Sequence, residues 1–337
     1  MRKVLTIFIS CLLFAVGVLT FAACGPQKEG TVSVYAPDGA PALSLARLMH
    51  EGMQFGDSVS YHVVAATSIQ TYVTGKNPQA DLCVLPVNAA AKALGTGSVY
   101  QMLGVVTHGN IYFLSNKTDE QLDSDNLSSL VGKTVGSIQL KNVVGLTLRL
   151  VLDEKNIPYK IIEDVSQRED GVVNLLNIGD PATMINAESP YDYMVAAEPV
   201  VSAKSNAIAS LNIVGNLQAL YGEGGYPQAV LVAKKELIEK NSALIQSFTA
   251  ALGANVLWLM SEETSSQTIV DAILQHLPEG STGTFNAKNL SKTVIENCAI
   301  RFENAATCKE GVKAFLAKLS AVSGEDYSVS EAFFYTA

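Results

Sequence analysis

The residue types that enzymes use for catalysis occur in this chain without the spacing that the chemistry requires. Gly132-Lys133-Thr134 has the last residues of a phosphate-binding loop, but Leu127 stands where that loop needs its first glycine. No Gly-x-Ser-x-Gly sequence is present, which argues against a serine hydrolase with a nucleophile elbow. The sequence gives no positive signal for catalysis, and we predict that the protein is not an enzyme.

The histidines are also isolated from one another and from the cysteines. No His-x-x-x-His pair and no cysteine pair at zinc-binding spacing occurs. The four histidines fall in different predicted elements: His50, His62, His108 and His276. We therefore predict neither a metal nor a cofactor.

Polar residues follow the predicted strands of the first half of the chain. Asp38-Gly39-Ala40 lies between a strand end and a helix start, where free backbone N–H groups and the helix dipole favour a polar ligand. Ser68 and Asn88 follow the second and third strands in the same way. These residues are candidate ligand contacts, with an ordinary turn or a helix cap as the alternative for each.

The second half of the chain has a corresponding set. Gln139 and Asn142 belong to the turn after a strand, where Lys141 either supplies a charge or is simply solvated. Glu198 follows another strand and either caps the next helix or accepts hydrogen bonds from a ligand. Tyr226 is the best candidate for stacking on a flat ligand, although aromatic residues more often belong to the core.

These candidates lie on an alternation of short apolar runs and amphipathic stretches. The first half predicts strand Thr31–Ala36, helix Pro41–Glu51, strand Val59–Ala65, helix Ser68–Thr74 and strand Asp81–Val87. The following part of the chain predicts strands Val99–Thr107, Ile111–Ser115 and Thr134–Ser137, and then helix Asn142–Lys155. Strand Tyr159–Asp164, a short helix near Val172–Asn177, and strands Tyr193–Ala197 and Ala229–Lys234 come next. This order predicts an α/β fold with two lobes, each a mostly parallel sheet flanked by helices.

Beyond residue 234 the pattern becomes helical. Leu244, Phe248, Leu252, Val256 and Leu259 form one apolar stripe, and helices follow at Ser265–His276, Lys288–Asn297 and Lys309–Val322. We assign residues 31–106 and 235–337 to lobe 1 and residues 107–234 to lobe 2. The chain then crosses between the lobes twice, near 107–116 and 226–234, and the cleft collects the carboxyl ends of both sheets, where open α/β sheets bind ligands.

The composition fits a soluble, acidic protein with two domains. The 337 residues are 48% hydrophobic and 16% charged, which excludes a disordered chain. Lys and Arg number 23 against 32 Asp and Glu, so the net charge is −9. Phosphate binding needs a basic surface, and a nucleic-acid partner is therefore not expected.

The N-terminus has the layout of a signal peptide. Arg2 and Lys3 precede an apolar run over Val4–Val18, and the small residues Ala22 and Ala23 follow it. The apolar run is shorter than the roughly 20 residues that a spanning helix needs. We predict that residues 1–23 direct export.

The segment Leu19-Thr20-Phe21-Ala22-Ala23-Cys24-Gly25 resembles the lipobox of bacterial lipoproteins, with Phe21 where leucine is usual. This resemblance implies a diacylglycerol on Cys24 and palmitate among its acyl chains. Residues 24–30 would then tether the protein to the outer face of the cytoplasmic membrane. A plain signal peptide is the alternative.

Three cysteines remain for the folded body. Cys83 lies in an apolar predicted strand and is expected in the core. An exported location permits a disulfide between Cys298 and Cys308, which we predict, although two reduced thiols are the alternative.

Several segments in order are similar to the substrate-binding lipoproteins of ABC importers, in the group for sulfonates, taurine, nitrate and thiamine pyrimidine precursors. They are Val34–Leu43, Asp81–Ala90, Leu130–Gly136, Ala196–Pro199 and Phe333–Tyr335. The resemblance implies a type II periplasmic-binding fold, with two hinge crossings, that closes on a small molecule. It also implies an ABC permease as membrane partner, a monomer, and a cleft-facing Glu198.

Two other functions remain open from the sequence. The same scaffold occurs in small-molecule enzymes, although those are cytoplasmic, and a ligand-sensing receptor lobe would have the same pattern. The ligand is not identified, since Arg47, Arg149, Arg168 and Arg301 lie away from the predicted cleft loops and no arginine clamp for a carboxylate is evident. This favours an uncharged or cationic heterocycle.

Overall fold

The computed structural model describes residues 30–179, 186 and 188–336. The predicted signal peptide and Cys24 lie outside these residues. Within them, twelve strands form two six-stranded sheets. The two-lobed α/β prediction is therefore confirmed.

The first sheet combines the beginning and the end of the chain. Its order is β12-β4-β11-β3-β1-β2, with β1 parallel to β2 and β3, and the other pairs antiparallel. The strands are β1 (Thr31–Pro37), β2 (Ser58–Val64), β3 (Leu82–Pro86), β4 (Tyr100–Thr107), β11 (Ala229–Lys234) and β12 (Ile300–Asn304).

The second sheet is built from the middle of the chain. Its order is β10-β5-β9-β6-β8-β7; β9, β6, β8 and β7 run parallel, and β5 and β10 are antiparallel to their neighbours. The strands are β5 (Ile111–Ser115), β6 (Thr134–Ile138), β7 (Tyr159–Ile162), β8 (Val173–Ile178), β9 (Tyr193–Ala197) and β10 (Asn212–Asn216).

The α-helices of the described residues cover both sheets. They are α1 (Ala40–Leu43), α2 (Ala46–His50), α3 (Val87–Leu94), α4 (Val143–Glu154), α5 (Val200–Ala207), α6 (Leu217–Tyr221), α7 (Lys235–Lys240), α8 (Ser242–Met260), α9 (Ser266–Leu274), α10 (Lys292–Asn297) and α11 (Ala305–Ser323). Short 3₁₀ helices occur at Ile69–Tyr72, Leu127–Leu130, Val165–Gln167 and Glu331–Phe333.

Three details of the predicted organisation differ from the structure. The first sheet is mixed and not mostly parallel, because three of its strand pairs are antiparallel. Residues 229–234 were assigned to lobe 2, but β11 pairs with β3 and β4 and so belongs to the first sheet. The helix predicted near Val172–Asn177 is strand β8. A strand buried on both faces of a parallel sheet is a continuous apolar run without alternation of polar and apolar residues, so its sequence does not distinguish it from a buried helix.

Two apolar clusters make up the core. One packs α1, α2, α8 and α9 against one face of the first sheet. The other begins on the opposite face of that sheet, includes α3 and α11, and continues into the second lobe. In α11, the ring of Phe315 stacks on Tyr226 at 5.6 Å and meets Tyr221 edge-on at 5.5 Å. This helix therefore packs on both lobes.

Among the described residues, one helix is long and apolar enough to cross a membrane, namely α8. Its Leu244, Phe248, Leu252 and Leu259 are buried in the core of the first lobe. Its apolar stripe is thus the packing face that the sequence predicted, apart from Val256, which is only half-buried.

The predicted disulfide is wrong. Cys298 and Cys308 are both free thiols, as is the buried Cys83. Cys298 belongs to the cluster on one face of the first sheet and Cys308 to the cluster on the other. Strand β12 runs between them, so their side chains are separated by the sheet itself.

Candidate ligand-binding site between the lobes

Two antiparallel segments join the lobes. Tyr226 N–H donates to the His108 carbonyl at 3.2 Å, and Gln228 N–H donates to the Thr107 carbonyl at 3.0 Å. Gly225 has a φ of +77°, and a Cβ there would lie 2.1 Å from the His108 carbonyl oxygen. Only glycine fits this close approach, so the second crossing is tied to the first at a defined register.

The loop after β1 is held by its own carboxylate. Asp38 Oδ1 accepts from Gly39 N–H at 2.8 Å, and Oδ2 accepts from the Thr284 N–H and hydroxyl, each at 2.7 Å. Gly39 has a φ of +105° and precedes α1, whose first residue is the buried Ala40. Asp38 therefore holds the loop that contains Thr284 at this edge of the sheet. The Gly39 N–H, one of the groups predicted to bind the ligand, already donates to the Asp38 carboxylate.

Ser68 and Asn88 lie at the ends of the next two strands. The Ser68 hydroxyl donates to the Ala65 carbonyl at 2.9 Å and does not cap the helix that follows. Asn88 is the second residue of α3, whose N-cap is Pro86, so the alternative of Asn88 as a cap is wrong. Asn88 is only 7% exposed, and its Oδ1 has no hydrogen-bond partner.

In the second lobe, a tight turn joins β6 to α4. Gln139 has a φ of +51°, and Asn142 N–H donates to the Gln139 carbonyl at 2.8 Å. Asn142 is the N-cap of α4 without a side-chain bond, and both residues are exposed. A Cβ on Gly145 would lie 2.2 Å from the Leu140 Cα, so glycine lets the helix start directly against the turn.

Glu198, at the end of β9, is only 3% exposed. Oε1 accepts from the Ser202 hydroxyl at 2.6 Å and from Asn297 Nδ2 at 2.8 Å, and Oε2 accepts from Ser202 N–H at 3.1 Å. Asn297 ends α10 of the first lobe. The carboxylate therefore caps α5 and also joins the lobes.

A chain of amides crosses the floor between the two sheet edges. The Gln228 carbonyl accepts from Val87 N–H at 3.0 Å, at the start of α3. Gln228 Nε2 donates to Asn110 Oδ1 at 3.0 Å, and Asn110 Nδ2 donates to the Glu198 carbonyl at 3.4 Å. We call Asn88, Asn110, Glu198, Gln228 and Asn297 the cleft floor.

Tyr226 does not line this floor. Its side chain is completely buried, stacked on Phe315 and beside Tyr221. Burial raises the pKa of its hydroxyl well above the usual value. The ring has no surface that a ligand can contact, so the predicted stacking role is replaced by packing between the lobes.

Of the predicted contacts, Glu198 is bonded within the cleft floor and Asn88 follows Val87, which bonds to Gln228. Among the described residues, no hydrogen bond links Asp38, Ser68 or the Gln139–Asn142 turn to the floor. Sequence reasoning missed Asn110, Gln228 and Asn297. Asn110 and Gln228 stand next to the ends of predicted strands at the two crossings, which is the signal that would have found them.

Behind the floor, the hinge contains a buried histidine. His108 is 3% exposed, with Nε2 3.4 Å from Glu303 Oε2. Burial, assisted by the positive charge of Arg301, lowers the pKa of His108 to about 3. The imidazole is therefore neutral at physiological pH.

No protein-family model matches this chain, and no curated protein matches it either. Among solved structures, an ABC transporter protein from Parabacteroides distasonis is similar with a TM-score of 0.67 and 18% identity, over 91% of this chain and 99% of that one. The aliphatic sulphonate binding protein SsuA of Escherichia coli gives a TM-score of 0.58 at 14% identity, over 88% and 86%.

The ligand-binding component of an ABC-type import system from Staphylococcus aureus, solved with zinc bound, gives a TM-score of 0.58 at 12% identity, over 90% of this chain and 96% of that one. In the part of the present chain that the structure describes, no group of three His, Cys, Asp or Glu residues is placed to hold a metal. At these identities the likeness defines the fold: this chain has the two-lobed fold of periplasmic binding proteins.

Proposed function

We propose that the protein is an extracytoplasmic solute-binding lipoprotein that captures a small organic molecule between its lobes and delivers it to an ABC permease. The observation that carries the proposal is the cleft floor, where groups from both lobes meet beside the two hinge segments. Open α/β sheets bind ligands at the carboxyl ends of their strands, and both sheets end at this floor.

The solved structures of the same fold support this role, since those described above are an ABC transporter protein, the ligand-binding component of an ABC-type import system and a sulphonate binding protein. Their low identity leaves the ligand group open, and membership of the sulfonate, taurine, nitrate or pyrimidine-precursor group is part of the proposal.

In this proposal the predicted contacts have different roles. Asn88 is the buried first-lobe contact, and the exposed turn at Gln139 and Asn142 is the second-lobe contact. Asp38 and Glu198 act mainly through the loops and helices that their carboxylates already hold. Ser68, Gly39 and Ala40 complete the first-lobe rim.

The N-terminal segment supplies the anchor in this proposal. Residues 1–23 act as the signal peptide, and lipid on Cys24 holds a monomer at the outer face of the cytoplasmic membrane, next to its permease. Fractionation of cells that express the wild type or Cys24→Ala tests the anchor. The wild type is expected with membranes and the variant in the soluble fraction; equal solubility of both contradicts the anchor.

Binding is tested by thermal unfolding against vitamins, pyrimidines, sulfonates and amino acids. A ligand at 100 times its dissociation constant stabilises the protein by about 2.7 kcal/mol. Uptake of the hit in cells with and without the protein separates transport from sensing, and recovery of the hit unchanged separates binding from an enzyme. No stabilisation by any compound class would contradict the proposal.

A further inference from the structure

The amide chain on the cleft floor has a fixed direction. The main-chain oxygen of Glu198 can only accept, so Asn110 must turn its Nδ2 towards it, at 3.4 Å. Asn110 Oδ1 then faces Gln228, which must present its Nε2, at 3.0 Å. The Glu198 carbonyl thus sets the orientation of the Gln228 side chain through Asn110, which lies between them.

This direction leaves Gln228 Oε1 as an acceptor. The atom is buried and has no hydrogen-bond partner. The Gln228 main chain is fixed on both sides, by its N–H to the Thr107 carbonyl and by its carbonyl to Val87 N–H, at 3.0 Å each. The acceptor therefore belongs to a residue whose main chain is bonded to the start of α3, and it cannot turn away without breaking the bond to Asn110.

Asn88 adds a second unpartnered amide on the same helix start. It lies one residue after Val87, in the first turn of the eight-residue α3, and is 7% exposed with Oδ1 unpartnered. Buried polar groups in native proteins nearly always have a partner, and those without one call for a functional reason. Two residues whose main chains meet at this helix start thus each carry an unpartnered side-chain oxygen, which a molecule that donates hydrogen bonds would satisfy.

The charge of the cleft floor is compatible with a ligand that donates hydrogen bonds. Of its five residues, Glu198 carries the only ionisable group, a carboxylate, and the other four are amides. Arg and Lys are the side chains that most often pair with an anion, and neither type occurs among these five.

We propose that the cleft floor selects solutes with N–H donors, either uncharged or cationic amines, amidines and amino-heterocycles, and disfavours sulfonates and carboxylates. Gln228 and Asn88 are the residues that determine this specificity. The inference rests on the proposed function and names the ligand class of the same site.

The test uses two probe sets in thermal unfolding followed by calorimetry. Cytosine, benzamidine and putrescine represent donors, and ethanesulfonate, nitrate and benzoate represent anions. Stabilisation by at least one donor and by none of the anions is expected. Stabilisation by an anion but no donor overturns this inference and leaves the solute-binding proposal intact, whereas no stabilisation by any probe counts against both.

Variants then identify the residues. Asn88→Leu should weaken binding of the best donor probe tenfold or more, while the unliganded protein unfolds at an unchanged or higher temperature, because the Asn88 Oδ1 has no hydrogen-bond partner among the described residues. Gln228→Met should weaken the same probe, and exposed Asn77→Leu should not. Unchanged affinity in Gln228→Met and, where it folds, in Asn88→Leu would overturn the assignment.

Discussion

The side-chain amide of Asn297 donates a 2.8 Å hydrogen bond to the carboxylate of Glu198, across the boundary between the lobes. Asn297 ends a helix of the first lobe, and Glu198 directly follows a strand of the second. The same carboxylate also accepts hydrogen bonds from Ser202 in the first turn of α5. One buried side chain therefore holds the start of α5 and joins it to the first lobe through Asn297.

Replacement of Glu198 by alanine should destabilise the protein. Three donors lose their acceptor in a buried setting, and a buried donor without its partner costs about 1–3 kcal/mol. We expect the free energy of unfolding in urea to fall by about 2 kcal/mol or more. Glu239→Ala, at an exposed position, should leave it unchanged; equal effects in the two variants would show that the network contributes nothing.

Two glycine-to-alanine changes in helices should have opposite signs. Gly145→Ala places a Cβ 2.2 Å from the Leu140 Cα and should be strongly destabilising, because the backbone must move. Gly253→Ala in α8 meets no atom within 4 Å and should stabilise by about 0.5–1 kcal/mol through helix propensity. Chemical denaturation measures both, and a stable Gly145→Ala would refute the close approach.

Stability should fall as the pH is lowered below about 6.5. The pKa of His108 is about 3 in the folded protein because the ring is buried, whereas the unfolded chain takes up a proton near the usual pKa of about 6.5. The unfolded state then binds more protons, so we expect His108 to account for a loss of about 1.4 kcal/mol between about pH 7.5 and about pH 5.5.

His62 and His276 shift in the same direction, also through burial. His108→Gln should therefore reduce the slope of unfolding free energy against pH without abolishing it. If His108→Gln kept the wild-type slope, the imidazole would be protonated in the folded state.

The thiols should be free and unreactive in the native state. Burial raises the pKa of the Cys298 thiol, and burial beside Glu303 raises that of Cys308 to about 11, so neither forms much thiolate at neutral pH. We expect an alkylating reagent to modify Cys298 and Cys308 only after the protein is unfolded. Mass spectrometry of the unreduced peptides measures this. A peptide pair joined by a disulfide would contradict the structure.

Sequence alternation predicted most of the sheet framework. Tyr193–Ala197, Ile111–Ser115 and Ala229–Lys234 match the observed strands, because each is a short apolar run between turn residues. The edge strands β10 and β12 were not predicted. Their residues are partly exposed and polar, as in Asn212–Asn216, so no apolar run marks them.

The candidate site was less accessible to sequence reasoning. A position at the end of a predicted strand indicates that a residue, such as Asn88, lies at the edge of the cleft. It does not indicate whether the side chain already has hydrogen-bond partners elsewhere in the protein. Asp38 and Glu198 bond to Thr284 and Asn297, far away in sequence, and such pairs are fixed only by the tertiary fold. Gln228 acquires its orientation through Asn110, which no local pattern encodes.

The apolar cluster that runs from the first sheet through α11 into the second lobe bears on how the chain folds. We expect neither lobe to be stable alone, because the Tyr226 ring at the second crossing and the Phe315 ring of α11 bury each other. We then expect unfolding to be one cooperative transition, and a fragment cut at the crossings would expose this surface. The second lobe, although it is one uninterrupted stretch of chain, packs in the native state on α11, which follows it in the sequence.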